Sequence, residues 1–245
     1  MELFDMHGHF LPGMDDGCKT PEEAVQLLKS SYAQGVRSMC ATPHYYPVET
    51  VTAFLERREQ AYSRLLEALD GETDIPQICL GAEVAYRPGL GYWDDLHKLC
   101  LGNSSYLLLE MPFGSWSRET VRDVRNMCLS GGITPIIAHV ERYLDIAGKE
   151  KLAELLEMDV LVQMNARYLL RPATRRRGRR MLSDGTVQLL GSDCHNLTDR
   201  PPNLGQAAAY LTKKGMGQTL AQITALSSTL LREATEPDRS PEDDQ

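Results

Sequence analysis

The 245-residue chain lacks any run of eighteen apolar residues, and its first residues carry neither a basic nor an apolar segment of the signal-peptide kind. We therefore expect no transmembrane helix, no signal peptide and a cytoplasmic location. The six cysteines are scattered, without a Cys-x-x-Cys pair. This spacing argues against a zinc ribbon or a thioredoxin-type site and indicates reduced thiols.

Positive charge is also scarce. The net charge is −8, and −5 of it lies in the segment 233–245, which has six acidic residues and one arginine. Proteins that bind nucleic acid carry a basic stripe, so we expect no nucleic-acid partner. Because the acidic segment has no apolar periodicity, we predict one folded domain over residues 1–232 and a disordered tail over 233–245.

Strand patterns alternate with helix patterns along the body. The predicted strands span residues 3–6, 36–41, 76–80, 106–110, 134–138, 160–164 and 187–190. The first predicted helix begins after a Thr20 cap and ends at Gly35, and the others span residues 50–69, 117–130, 149–158, 171–182, 203–214 and 218–231. About seven strand–helix units indicate an α/β fold whose parallel sheet closes into a barrel, with a doubly wound open sheet as the alternative.

Residues that can bind metal ions follow these strands, at the ends where α/β folds place their functional sites. His7 and His9 share one face of an extended segment, and Gly8 between them allows close approach of the backbone. Asp193 and His195 repeat this spacing. The remaining candidates at strand ends are His44, Glu83, Glu110 and His139.

These side chains are too many for one ion, so we expect two or three divalent ions. Mixed nitrogen and oxygen ligands suit manganese, iron or zinc better than magnesium or calcium. Glu110 follows an apolar run and should be buried, where a cation would offset the cost of its charge. Asp16 is either a ligand or a turn residue, and His97 is predicted to lie on the surface. Close metal pairs activate a bridging water for in-line displacement.

Arginines offer two further features. Arg142 lies three residues after His139, where its guanidinium could bind phosphate oxygens or form a salt bridge with Glu141 or Asp145. The basic segment 171–180 is either a solvated helix face or an electrostatic guide for an acidic or phosphorylated peptide, or for an anionic membrane surface. Its arginines are Arg171, Arg175, Arg176, Arg177, Arg179 and Arg180.

The segment from Cys194 to Arg200 has the Cys-x5-Arg spacing of cysteine-dependent tyrosine phosphatases. Those enzymes need a glycine-rich loop whose amides bind phosphate and lower the pKa of the thiol. This segment has no glycine, and two prolines follow Arg200. We therefore expect the match to be coincidental.

The strand-end motifs together resemble the polymerase-and-histidinol-phosphatase (PHP) superfamily over residues 1 to about 230. They are Asp-x-His-x-His (5–9), Met-Asp-Asp-Gly (14–17), Ala-Thr-Pro-His (41–44), Gly-Ala-Glu (81–83), Leu-Leu-Glu-Met-Pro (108–112), Ile-Ala-His-x-Glu-Arg (137–142) and Gly-Ser-Asp-Cys-His-Asn (191–196). Within the superfamily, the chain is most similar to bacterial manganese-dependent protein-tyrosine phosphatases of capsule and exopolysaccharide operons.

The resemblance implies a distorted (β/α)7 barrel of PHP type with three divalent ions. The implied metal ligands are His7, His9, Asp16, His44, Glu83, Glu110, His139, Asp193 and His195. It implies that Glu83 bridges two ions and that Arg142 is catalytic and binds phosphate. The segment Tyr45-Tyr46-Pro47, which varies among relatives, is predicted to line the mouth of the substrate site, with Tyr45 as the substrate contact. The departure from relatives near Asn165-Ala166-Arg167 leaves substrate contacts there open.

The implied activity is hydrolysis of phosphotyrosine, on the tail of a capsule or exopolysaccharide tyrosine kinase, by a metal-bridging hydroxide. Phenol is a good leaving group because its pKa is about 10, so little general-acid assistance is needed. One alternative is a small-molecule phosphomonoesterase such as a histidinol phosphatase. Another is a metal-stabilised protein that binds a phosphorylated tail without hydrolysing it.

Overall fold

The computed structural model describes residues 1–236. The strands are β1 (Leu3–Gly8), β2 (Val36–Ala41), β3 (His44–Tyr45), β4 (Gln77–Leu80), β5 (Glu83–Ala85), β6 (Tyr106–Glu110), β7 (Thr134–Ile137), β8 (Leu161–Asn165) and β9 (Leu189–Gly191). The helices are α1 (Pro21–Ala33), α2 (Val51–Ala68), α3 (Arg118–Leu129), α4 (Lys149–Leu156), α5 (Ala166–Leu170), α6 (Arg175–Ser183), α7 (Leu204–Lys213) and α8 (Gly217–Thr235). Short 3-10 turns cover Leu90–Tyr92, Asp94–Leu99 and Val140–Arg142.

The strands pair in parallel in the orders β1-β2-β4 and β3-β5-β6-β7-β8-β9. Short breaks separate β2 from β3 and β4 from β5. Backbone bonding continues across both breaks, because the N–H groups of Gly81 and Glu83 donate to the carbonyls of Ala41 and Pro43. Each broken pair therefore occupies a single position, and the sheet has seven positions.

The first and last strands join and close the sheet. The N–H of Asp193 donates to the carbonyl of His7, and the N–H of His9 donates to the carbonyl of Cys194, each at 2.9 Å. The predicted distorted (β/α)7 barrel is therefore confirmed, and the open sheet is wrong. Breaks in two strand positions and a register shift between Asp5 and Gly8 account for the distortion.

Side-chain caps fix the starts of three helices as the sequence predicts. The side chains of Thr20, Thr50 and Ser117 accept hydrogen bonds from backbone N–H groups in the first turns of α1, α2 and α3. The basic helix predicted over 171–182 is present as α6, but it begins later than predicted, at Arg175. Pro172 holds the preceding Arg171 in an extended conformation at the end of the short helix α5, which was not predicted.

Helix α8 covers the amino-terminal end of the barrel. Its residues Leu230, Leu231 and Ala234 belong to the same buried cluster as Met6 of β1 and Leu108 of β6. A larger apolar cluster lies between the strands and the surrounding helices. Within residues 1–236, none of the helices is long and apolar enough to span a bilayer.

The boundary of the folded part lies further along the chain than predicted. Helix α8 continues to Thr235, the Ala234 carbonyl accepts a hydrogen bond from Asn103, and the Glu233 carboxylate accepts one from the Tyr106 hydroxyl at 2.7 Å. Residues 233–236 therefore pack as part of the fold. The rest of the predicted acidic tail, 237–245, lies outside the described residues.

Candidate metal centre

The carboxyl ends of the strands bring all nine predicted metal ligands together. Glu83, at the start of β5, lies at the centre. Its Oε2 is 3.1 Å from His7 Nε2 and 3.2 Å from His9 Nε2. The same oxygen is 3.1 Å from His44 Nδ1, and its Oε1 is 2.7 Å from His139 Nε2. One carboxylate therefore contacts four imidazoles.

The candidate ligand atoms fall into three groups, and within each group the atoms lie within 4.8 Å of one another. The groups are His9, Asp16, His44 and His195; His7, His9 and Asp193; and His44, Glu83 and Glu110. His139 completes the cluster, with Nε2 at 3.4 Å from Glu110 Oε1. Asp16 is 64% exposed, but its Oδ1 is 3.3 Å from His195 Nε2. His97 is exposed and bonds to the backbone of Asp94, so its predicted surface position is confirmed.

Several atoms of the cluster fit a metal better than they fit one another. Glu83 Oε2, His44 Nδ1 and His195 Nε2 are buried without a hydrogen-bond partner. The Nε2 atoms of His7 and His9 are 3.0 Å apart, and neutral imidazoles pointing at one spot are typical of shared metal coordination. Since buried polar atoms without partners are costly, divalent ions with nitrogen and oxygen ligands would satisfy this group.

The electrostatics of the cluster favour cations. Burial alone lowers the pKa of His9, but contacts with Asp15 and Glu83 outweigh it and raise the pKa to about 10. Burial is likewise overcome at His139, where contacts with Glu110 and Glu83 raise the pKa to about 9. The histidines in turn hold the pKa of the buried Glu83 well below its usual range. Metal ions would replace the protons that these groups otherwise hold.

A layer of polar side chains that the sequence analysis missed orients the candidate ligands. Asp15 accepts from His9 Nδ1 at 2.7 Å and from the His44 N–H at 2.9 Å. Gln163, in β8, accepts from the N–H of His139 at 2.7 Å. Such partners fix the orientation of metal ligands. The sequence signals were an isolated glutamine inside an apolar strand and the first carboxylate of the Asp15-Asp16 pair.

Two further groups complete this layer. Asn165 Nδ2 donates to Asp193 Oδ2 at 2.7 Å. Asp5 is fully buried, and its Oδ1 accepts from the N–H groups of His7 and Ser192, at 3.3 and 2.8 Å. Because Ser192 follows β9, the Asp5 carboxylate links β1 to the end of β9, next to His7 and His9.

Backbone strain is concentrated at this site. Among the non-glycine residues that the structure describes, only His139 and Asp193 have positive φ, at 30° and 54°. Each is a candidate ligand two residues after the end of a strand, and such conformations persist when the surroundings impose them. Packing is also tight at Gly191, where an added Cβ would lie 2.6 Å from the Cβ of His7.

Two arginines form salt bridges with Asp193 on the outer side of the cluster. Arg142 Nη2 and Arg200 Nη2 each lie 2.7 Å from an oxygen of Asp193. Arg142 Nη1 also lies 3.9 Å from Glu110 Oε1. Among the described residues, Arg142 forms salt bridges with Asp193 and Glu110, and the alternative salt bridge with Glu141 or Asp145 is not formed. No role was predicted for Arg200, because it appeared only as part of the Cys-x5-Arg match that was judged coincidental. Cys194 itself is fully buried, and burial raises the pKa of its thiol well above the usual value, which opposes a thiolate nucleophile.

The predicted substrate contact of Tyr45 is wrong. Tyr45 is fully buried, and its hydroxyl donates to the Glu49 carbonyl. The next residue, Tyr46, is 50% exposed and stacks on His44 at 5.4 Å between ring centroids. Phe113 is 61% exposed and lies 6.3 Å from the His139 ring. These two aromatic rings, rather than Tyr45, flank the open side of the site.

Known proteins resemble this chain over nearly its whole length. The "Tyrosine-protein phosphatase CpsB" of Streptococcus pneumoniae is 32% identical over 227 residues, covering 86% of this chain and 90% of the relative. The "Tyrosine-protein phosphatase YwqE" of Bacillus subtilis is 29% identical, covering 95% and 93%.

A solved structure also superimposes on the chain. It comes from a study of YwqE and CpsB as "unique metal-dependent tyrosine phosphatases", with a TM-score of 0.82, 26% identity and coverage of 95% of this chain and 96% of that one. Residues 3–231 match the family described as "Capsular polysaccharide synthesis, CpsB/CapC". The chain therefore belongs to the CpsB/CapC family of capsular polysaccharide synthesis.

Proposed function

We propose that this protein is a metal-dependent phosphatase that hydrolyses phosphotyrosine in proteins, with manganese as its metal. The observation that carries the proposal is the cluster of five histidines and four carboxylates around Glu83, beside two arginines. The similarity to tyrosine-protein phosphatases supports the substrate class.

Three divalent ions would be held by the candidate ligands, whose three groups share His9 and His44. The contacts of Glu83 with four imidazoles support its implied role as a ligand shared between ions. Such ions supply Lewis acidity and a water of lowered pKa, and they offset the charge of a phosphate monoester. Around them, Asp15 and Gln163 keep His9 and His139 oriented. Seven of the nine candidate ligands are buried, which limits bulk water at the centre and strengthens its electrostatic interactions.

Arg142 and Arg200 would bind the phosphate. Both guanidinium groups reach Asp193 from the open side, and each has further N–H groups that can donate to phosphate oxygens. Their positive charge would stabilise the charge that develops during transfer. Arg142 is therefore proposed, as the sequence predicts, as a catalytic and phosphate-binding residue, and Arg200 joins it.

The aromatic rings of Tyr46 and Phe113 favour an aryl ester. Each lies beside a candidate metal ligand, and the Arg142 guanidinium is 5.9 Å from the Phe113 ring. A phenyl group between them would gain stacking contacts that an alkyl phosphate lacks. The family's link to capsule synthesis supports the proposal that the protein substrate is the phosphorylated tail of a capsule or exopolysaccharide tyrosine kinase.

The test compares kcat/KM of the manganese-loaded protein for a phosphotyrosine peptide, the same peptide with phosphoserine, and histidinol phosphate. We expect the phosphotyrosine peptide to be preferred by at least about tenfold, because phenolate is the better leaving group. A higher kcat/KM for histidinol phosphate would favour the small-molecule phosphatase instead. Absence of phosphate release from all three would favour a binding protein.

A further inference from the structure

A pocket of about 170 Å³ adjoins the metal centre on the side of β8 and β9. It shares Arg142, Asp193 and Arg200 with the centre, and beyond them it is lined by Arg167, Arg171 and Asn203, among others. A site for one water needs only roughly 10–15 Å³, so this pocket has room for a polar group of a ligand.

Four arginines and two carboxylates, Glu141 and Asp193, line the pocket, and two of the arginines have no carboxylate partner within residues 1–236. Arg142 and Arg200 are paired with Asp193. Arg167 donates only to the backbone carbonyl of Asp199, and Arg171 takes part in no ion pair within residues 1–236. Exposed arginines without carboxylate partners, gathered at a concave site, are suited to an anionic ligand.

Asn203 gives an independent indication of a ligand. It is only 6% exposed, and its Oδ1 is buried without a hydrogen-bond partner. A buried amide oxygen without a partner is costly, and this oxygen can accept a hydrogen bond from an N–H group of a peptide ligand. The unsatisfied oxygen of Asn203 lines the same pocket as Arg167 and Arg171, which form no ion pair within the described part of the chain.

We propose that Arg167 and Arg171 form a subsite for an anionic side chain next to the phosphotyrosine of the substrate, and that Asn203 Oδ1 accepts a hydrogen bond from an N–H group of the same peptide. The inference rests on the proposed phosphotyrosine phosphatase activity and adds a sequence preference to it. The ligand is a carboxylate of aspartate or glutamate, or the phosphate of a second phosphotyrosine. The subsite is separate from the arginines of α6, which do not line the pocket.

The experiment measures kcat/KM for peptides with one phosphotyrosine and either Glu or Gln at each of the two positions on either side. These residues have the same shape and differ in charge. We expect Glu to be preferred by about tenfold at one of the positions, as for one charge-assisted hydrogen bond. A parallel set with a second phosphotyrosine at that position separates phosphate from carboxylate recognition.

The preference should be lost in the double variant Arg167→Gln/Arg171→Gln and kept in Arg175→Gln/Arg176→Gln. The control removes the same charge from exposed positions on α6 that do not line the pocket. The same peptides can also carry a non-hydrolysable phosphonate in place of the phosphate, and their affinities can be measured by fluorescence anisotropy. The preference for Glu over Gln in these affinities should be lost in the same variant. This second readout is independent of turnover.

Three results would overturn the inference. They are equal rates for Glu and Gln peptides at every position, an unchanged ratio in Arg167→Gln/Arg171→Gln, and an equal loss in the α6 control, which would indicate a general field. In each of these cases hydrolysis of phosphotyrosine continues, so the proposed function stands. If the wild-type protein hydrolyses none of the peptides, both fail.

Discussion

Glu83 is the side chain on which the candidate centre depends. Its two oxygens contact the imidazoles of four histidines, and the carboxylate is almost fully buried. A buried carboxylate without cations would be expensive, and its Oε2 has no hydrogen bond. The geometry therefore suits a carboxylate shared between ions.

Replacing Glu83 by Gln tests this role. The variant keeps the shape but removes a negatively charged ligand, so we expect the bound metal per chain to fall and kcat/KM for a phosphotyrosine peptide to drop by at least about a hundredfold. Elemental analysis of the purified protein measures the first, and a phosphate-release assay the second. Glu59→Gln, at an exposed position of α2, is the matched control. Full metal content and activity in Glu83→Gln would refute the role.

Cys194 lies between two candidate ligands but should not take part in the chemistry. Because its thiol is fully buried and its pKa is raised, we expect Cys194→Ala to keep kcat/KM within about threefold, with a small loss of packing. Steady-state kinetics on a phosphotyrosine peptide provide the measurement. Loss of all activity in a variant that still folds and binds metal would support a cysteine mechanism.

At the level of single residues, the sequence predicted the cluster better than its surroundings. The i, i+2 spacing in His7/His9 and Asp193/His195 is visible because a strand places alternate residues on one face. Gln163 and Arg200 were missed, since their roles depend on contacts between distant strands and loops that no local pattern encodes. Within the predicted Tyr45-Tyr46-Pro47 segment, Tyr45 was named as the contact because the orientation of side chains in and after a two-residue strand cannot be read from its sequence.

At the level of elements, the centre depends on how closely β9 packs against β1. Gly191, the last residue of β9, lies where an added Cβ would be 2.6 Å from His7 Cβ and 2.9 Å from Gln163 Nε2. Both neighbours are side chains of the site. Lack of a side chain at this position lets the strands approach closely enough for their histidines to converge.

Gly191→Ala should therefore push His7 and Gln163 out of position. We expect a loss of about 1–3 kcal/mol in the free energy of unfolding, as for an overpacked core, together with weaker metal binding. Urea unfolding and metal titration test the two effects. Gly217→Ala is the control, because a Cβ there meets nothing within 4 Å and alanine suits a helix. Equal behaviour of the two variants would contradict the close approach.

The longer elements were predictable and the short ones were not. Helices α1, α2 and α3 begin at capping residues, and β2 and β6 have the predicted bounds, because each is long enough to show a pattern. Strands β3 and β5 contain two and three residues and follow a break, so no periodicity marks them. They nevertheless carry His44 and Glu83.

At the level of the whole molecule, the closed barrel collects carboxylates and imidazoles from strands far apart in sequence. In the metal-free protein their contacts raise the pKa of His9 to about 10 and that of His139 to about 9. Both values lie above neutral pH, so both imidazoles are in the positively charged, doubly protonated form at neutral pH. Histidine must be neutral to bind a metal, and metal affinity should therefore weaken as the pH falls.

Metal binding at pH 7.5 should consequently release about two protons from His9 and His139. Calorimetric titration of the metal-free protein with manganese, in buffers of different ionisation enthalpy, measures the number released. The observed heat should change with the buffer in proportion to that enthalpy. A heat independent of the buffer would show that these histidines are already neutral and that the electrostatic account is wrong.

The most direct test of the central claim is the release of phosphate from a phosphotyrosine peptide before and after removal of metal. The protein is treated with a chelator, freed of it by dialysis, and assayed alone and after return of manganese, zinc or iron. We predict that the metal-free protein loses nearly all activity, and that manganese restores it best. Full activity in a protein shown by elemental analysis to contain no metal would contradict the account.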